Sequence, residues 1–262
     1  MKRIESAALL VRSVAYGEAD IIATFFTETD GKVSAVVRGA RRSTKRFGGA
    51  LEPIHELFVS LDDKGKELCT LKEARIERPR EGIVRSLDTM DAAGRALRWI
   101  RHLCPARTPE PAVWSSLGTL LDILDALGHG PGAGDGAGAG AGDGAGAGAG
   151  AISPVVGQHL AVFGFALLAD VGYAIDFERC VRCGKPCPEG RPAFVDAVGG
   201  GLVCMTCGGA RRTMSAEVRS LALRAQAREP GLVMTPAQAS ELVEVAEEAM
   251  SAHTDFDPHG SK

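Results

Sequence analysis

Cys180-Val181-Arg182-Cys183 and Cys204-Met205-Thr206-Cys207 are two Cys-x2-Cys pairs, with positions 184–203 between them. That spacing can bring four thiolates to tetrahedral distance around one Zn²⁺, so residues 178–210 are expected to fold back on themselves as a zinc finger. A glycine follows each pair (Gly184; Gly208-Gly209), where a sharp backbone turn lets N–H groups point at sulfur. The plain alternative is four buried free cysteines, which would not need this spacing. Cys187, placed Cys183-x3-Cys187, is a fifth candidate for the same metal. Four thiolates leave no open position for water, so the expected zinc is structural and activates no nucleophile. The chain has seven cysteines in all, an odd number, with five of them gathered between Cys180 and Cys207. Clustering of this kind belongs to a metal-holding protein of a reducing compartment rather than to a disulfide framework.

Residues 1–80 read as strands. Apolar and β-prone runs occupy Ile4 to Val14, Asp20 to Thr27, Lys32 to Arg38, Pro53 to Leu61 and Lys66 to Ile76. Asp30-Gly31 and Asp62-Asp63-Lys64-Gly65 supply hairpin turns. Five short antiparallel strands predict a small closed barrel over residues 1–80, either an OB-fold or an SH3-like barrel. After Pro79 the period becomes helical: Ile83 to Leu103, Pro111 to Leu127, Pro154 to Val171, Ser215 to Arg228 and Thr235 to Met250. Ser215 and Thr235 stand at N-cap positions. The expected fold class is therefore α+β, a barrel followed by a helical domain over 81–262 that carries the zinc finger. Within it, residues 130–150 alternate Gly with Ala and Asp, which predicts a flexible insertion; silk-like stacking is the alternative.

Charge is distributed unevenly. The net charge is −3, yet Gly31 to Leu51 holds six basic residues and no acid, while Ala237 to Lys262 holds six acids against Lys262 alone. A local polyanion site follows from such an asymmetry. Arg38, Arg41, Arg42, Lys45 and Arg46 share one loop with Phe47, whose ring can stack on a base. A solvated loop is the bland reading of the same charges. Arg95, Arg98 and Arg101 share a helix face beside Trp99, either as an exposed polar face or as an extension of a nucleic-acid track. Nothing constitutes a catalytic constellation. There is no P-loop, His55-Glu56 lacks a second His at helical spacing, and Pro186-Cys187 does not continue as a deaminase motif. No apolar run approaches membrane-spanning length, so a soluble cytoplasmic, non-enzymatic protein is expected.

Arg12-Ser-Val-Ala-Tyr16-Gly17-Glu18-Ala-Asp20, Phe26-Thr27, Gly31, Arg38-Gly39-Ala40-Arg41-Arg42 and Leu51-Glu52-Pro53 resemble the opening of RecO, the bacterial recombination mediator. The likeness covers residues 4 to 80 closely and 150 to 228 in outline, and the two cysteine pairs fall where many RecO proteins carry a zinc finger. It implies an N-terminal OB domain, a helical domain and an inserted finger. It also implies binding of single- and double-stranded DNA, strand annealing, and work with RecR to load RecA onto DNA coated by single-strand-binding protein, whose C-terminal tail is a further partner. By the same resemblance Arg38, Arg41 and Arg42 are DNA contacts, with Lys45 and Arg46 added by adjacency. The Gly/Ala tract and the C-terminal end, which keeps only a trace of basic character, depart from the family pattern. An RNA-binding barrel-and-ribbon protein of transcription or translation is the alternative function.

Overall fold

The computed structural model describes residues 2–42, 47, 49, 51–130, 153–188, 190–209, 212–254 and 256. Contacts divide the chain into two compact units, residues 1–130 and 131–262. The helices expected after Pro79 are thus shared between them, with the first two belonging to the barrel's unit.

In the first unit, β1 (Lys2–Tyr16), β2 (Asp20–Thr27), β3 (Gly31–Val37), β4 (Glu56–Asp63) and β5 (Cys69–Arg78) close into a barrel of order β1-β2-β3-β5-β4. β1 is long enough to pair antiparallel with both β2 and β4, and a short parallel β3–β5 pairing completes the ring. This Greek-key closure is that of the OB-fold, and it sets aside the SH3-like alternative. Alternation explains the strands. On β3, Val33, Ala35 and Val37 point inward and are buried, while Lys32, Ser34 and Val36 are half-buried. The inward set joins Ile4, Leu10, Phe25, Leu57, Val59 and Leu71 in one cluster. Gly31 is required at the β2–β3 turn, because its φ is +66° and a Cβ there would lie 1.9 Å from the Thr108 carbonyl oxygen.

After a single 3₁₀ turn at Ile83–Arg85, α1 (Leu87–Leu103) and α2 (Pro111–Gly128) cover one side of the barrel. The outward Phe26 of β2 meets Trp114 of α2, ring centroids 5.8 Å apart. Arg80 is fully buried between β4 and α2. Its Nε donates to Asp122 Oδ1 at 3.0 Å and its Nη1 to the Ile54 carbonyl at 3.0 Å, while Nη2 reaches Glu56 at 3.4 Å. His55 accepts the Arg80 backbone N–H. A buried cation so partnered is costly to break from one side.

In the second unit α3 (Pro154–Asp170) is apolar around most of its circumference and is buried accordingly, packed on α4 (Ala216–Gln226) and α5 (Pro236–His253). Both expected caps form. Ser215 Oγ accepts from Val218 N, and Thr235 and Gln238 make a capping box. Between α3 and α4 lies a sheet that periodicity alone did not reveal: β6 (Asp176–Cys180), β7 (Ala193–Asp196), β8 (Gly201–Val203) and β9 (Arg212–Met214), ordered β6-β8-β7-β9. Phe177 of β6 meets Phe165 of α3 edge-on at 5.5 Å. Buried Arg219 of α4 donates to the carbonyls of Phe177, Cys187 and Pro188 at 2.6–2.8 Å, fastening the sheet to the helices. The Gly/Ala insertion of 130–150 lies outside the described residues beyond Gly130.

Candidate metal centre and nucleic-acid interface

The sulfurs of Cys180, Cys183, Cys204 and Cys207 all lie within 4.8 Å of one another. Cys183 and Cys204 sulfurs are 3.9 Å apart, against about 3.8 Å for tetrahedral thiolates at the usual zinc–sulfur distance. The four therefore fit a metal. The turn after each pair is as expected: Gly184 and Gly208 have φ of +70° and +58°, and their N–H groups close onto the carbonyls of Cys180 and Cys204 at 2.8 and 3.0 Å. This geometry frees other amides for sulfur. Cys204 N–H donates to Cys180 Sγ at 3.3 Å. That bond, with help from the amides of Cys183 and Arg182, lowers the Cys180 pKa to about 6. Amide donors aimed at sulfur favour the thiolate that a cation needs. Cys187 is not among the four; its backbone pairs with Glu178 and Arg219, and burial raises its thiol pKa.

The basic loop sits in the other unit, on the barrel. Its alternation is a division of labour: Ala40 and Leu51 pack against the barrel core, whereas Arg38, Arg41 and Arg42 point away from it. Phe47 joins the core. The ring expected to stack on a base is only 7% exposed and lies within the barrel's hydrophobic cluster, so the base-stacking expectation is corrected. In a largely polar loop, burying this ring, with Ala40 and Leu51, helps secure the loop to the barrel. Lys45 and Arg46 lie outside the described residues.

The loop is clamped to the β1–β2 turn. Gly39 N–H donates to Asp20 Oδ1 at 2.8 Å, Arg41 N–H to the Ala19 carbonyl at 2.9 Å, and Arg41 Nη1 to the Gly17 carbonyl at 3.2 Å. Arg42 approaches Glu18 at 3.6 Å, with both side chains open to solvent; such a pair contributes little. The blocks Tyr16-Gly-Glu-Ala-Asp20 and Arg38-Gly-Ala-Arg-Arg42, separated in sequence by the β2–β3 hairpin, thus form one structure.

Two family models match the chain: Recombination protein O N terminal over residues 1–80, and Recombination protein O C terminal over 154–262. The DNA repair protein RecO of Anaeromyxobacter sp. strain K is 32% identical over 99% of this chain and 92% of the relative. The chain belongs to the RecO family. The Myxococcus xanthus protein of the same name is 31% identical over 88% of this chain and 85% of its own, and that of Geobacter metallireducens 28% over 97% and 93%.

Tyr16, which sequence reasoning did not place at the site, stands beside the loop. Val11 is the extra residue of a bulge in β1, and beyond it every residue from Arg12 to Tyr16 is exposed. Tyr16 is 52% exposed at the tip, next to the Gly17 whose carbonyl accepts from Arg41. The only signal for it was the position of Tyr16 immediately before the Gly-Glu turn. Arg12 leads toward α1, where burial and then the charges of Arg12 and Arg98 hold the Arg101 pKa below its ordinary value. His102 accepts from Arg101 at 2.8 Å; burial, then Arg101 and Lys32, hold its pKa down, so it is neutral at pH 7. Arg95, Arg98 and Arg101 are half-buried and line a groove, so the exposed polar face expected of them is corrected. No helix among the described residues is long and apolar enough to cross a membrane.

Proposed function

We propose that the protein is a non-enzymatic DNA-binding and strand-annealing mediator of recombination, acting in the cytoplasm at the nucleoid. On this reading it works with RecR and with the C-terminal tail of single-strand-binding protein to help load RecA onto coated single strands. The observation that carries it is the acid-poor arginine loop clamped onto an OB barrel, with its apolar anchors inside and Arg38, Arg41 and Arg42 outside.

An annealer must grip one strand by its phosphates and leave the base edges free to pair. Guanidinium forks grip phosphate oxygens in two-point contacts and read no sequence. Displaced counterions supply the affinity, which therefore falls with salt. Tyr16, beside the loop, offers a face on which one base can stack regardless of identity. Lys45 and Arg46 extend the charge by adjacency. Cys180, Cys183, Cys204 and Cys207 hold a structural Zn²⁺, which fixes the finger's fold and takes no part in a reaction.

The test is annealing of complementary oligonucleotides coated with single-strand-binding protein. The protein is expected to accelerate duplex formation, and Tyr16→Ser to slow it while leaving the melting temperature unchanged. Absence of acceleration, or equal binding to RNA and DNA without annealing, would overturn the reading in favour of an RNA-binding protein.

A further inference from the structure

The arginine loop contains no acid, yet the turn on which it is clamped carries two, Glu18 and Asp20. Carboxylates beside a phosphate-binding surface lower its affinity for a polyanion, so each calls for a reason. Glu18 has a side chain 93% exposed and only approaches Arg42. Asp20 is half-buried at the start of β2 and is engaged by the loop's backbone.

Register explains that engagement. The β2–β3 ladder ends at the pair Ile21–Val37, and the chain leaves the sheet at Arg38. One residue further on, Asp20 Oδ1 takes the Gly39 N–H at 2.8 Å, in place of the carbonyl that a longer ladder would supply. Asp20 is itself held by its pairing with Tyr16 of β1, so this acceptor stands on sheet backbone. Gly39 has a φ of +70°, and the Arg42 N–H returns to its carbonyl at 3.1 Å. Gly39 is therefore the pivot of the turn, and Arg38, Arg41 and Arg42 all lie within three residues of it.

We propose that Asp20 is a positioning residue for the DNA grip: its carboxylate oxygen fixes Gly39, and through Gly39 the spacing of the three guanidiniums, although its charge repels phosphate. This inference rests on the reading of the loop as the DNA site. A loop ordered before it meets DNA does not have to be ordered in the complex, and forked guanidinium–phosphate contacts depend on where the forks stand. Charge and placement then predict opposite signs. Were Asp20 a charge alone, its removal would tighten DNA binding. As the acceptor that sets the turn, its removal loosens the loop and weakens binding.

Binding of a labelled oligo(dT) strand to the full chain, measured across salt concentrations, reads that sign. Asp20→Ala should raise Kd about tenfold and lower the slope of log K against log salt by about 1. Asp20→Asn removes the charge but keeps an acceptor oxygen, and should bind at least as tightly as the wild type. Asp20→Glu keeps the charge but displaces the oxygen by a methylene, and should weaken binding. Glu18→Gln removes a charge from the same turn without touching Gly39, and should not weaken it. Asp20 lies outside the barrel's hydrophobic cluster, so the melting temperature should hold; should Asp20→Ala unfold, the Asn and Glu variants decide. Added to Arg41→Ala with Arg42→Ala, Asp20→Ala should cause little further loss, because it acts through them. The proposal is overturned if Asp20→Ala binds as tightly as the wild type or more so, or if Asp20→Asn is weakened as much as Asp20→Ala. If Arg41→Ala with Arg42→Ala leaves binding unchanged, the DNA reading fails and the role of Asp20 with it. Weak binding by that arginine variant beside undiminished binding by Asp20→Ala overturns the role of Asp20 alone.

Discussion

The barrel and the cysteine sheet are both small β structures, and they are held together by different forces. The barrel buries a cluster of fifteen hydrophobic residues among those described, drawn from all its strands and from Phe47 of the loop. The strands of the cysteine sheet are only three to five residues long, and they bury few large apolar side chains: Phe177, Val195, Leu202, Val203 and Met214. In the turns that follow β6 and β8, Cys183 and Cys207 are exposed. Apolar burial cannot fix those turns, because there is little apolar surface to remove from water. One region is stabilised by its core; the other, on the function proposed above, is stabilised by a metal joining its four sulfurs.

The largest expected effect separates the two directly. Removing the proposed metal with a chelator, or replacing Cys180 or Cys204 with Ser, is expected to withdraw binding energy on the order of 10 kcal/mol from the sheet. Hydrogen exchange should rise across β6–β9 while the barrel strands stay protected, and metal analysis should find one zinc per wild-type chain and none in the variants. Uniform loss of protection in both regions would show that they are not independent. Next in size is Phe47→Ala, expected to cost about 3 kcal/mol, because a buried phenylalanine leaves a cavity. Thermal unfolding of the barrel's unit should shift accordingly. An unchanged melting temperature with weakened DNA binding would return Phe47 to the surface role that its sequence context suggests. The smallest effect expected is that of Thr235→Ala, about 1 kcal/mol from loss of the α5 cap, with zinc content unaltered. Loss of zinc in that variant would mean that the helices, rather than the metal, organise the sheet.

Sequence and structure agree where a single local rule decides. β-Prone runs bounded by hairpin turns marked all five barrel strands, and the Cys-x2-Cys spacing marked the four sulfurs now within 4.8 Å. Capping chemistry marked Ser215 and Thr235. What was illegible depends on tertiary partners. The strands β7 to β9 are too short to show a period, so only their packing reveals them. Phe47 stands in a run of arginines and looks exposed, yet its ring belongs to the barrel's hydrophobic cluster. The bulge at Val11 marks where β1 passes from buried to fully exposed residues, and no propensity announces a bulge there. Arg95, Arg98 and Arg101 are spaced correctly for one helix face, but whether that face meets water or β1 is a matter of docking.

On the function proposed above, the arginine loop is where DNA is held. Binding of single- and double-stranded oligonucleotides measured across a range of salt concentrations tests it most directly. Each phosphate contact contributes roughly 0.7 to 0.9 to the slope of log K against log salt. Arg41→Ala with Arg42→Ala should therefore lower the slope by about 1.5 and weaken binding alike on every sequence, since phosphates carry no base identity. Arg98→Ala with Arg101→Ala, in the groove, should change the slope much less. Unchanged affinity and slope in the loop variant, together with a fall in both for the groove variant, would contradict the account and move the DNA track to α1.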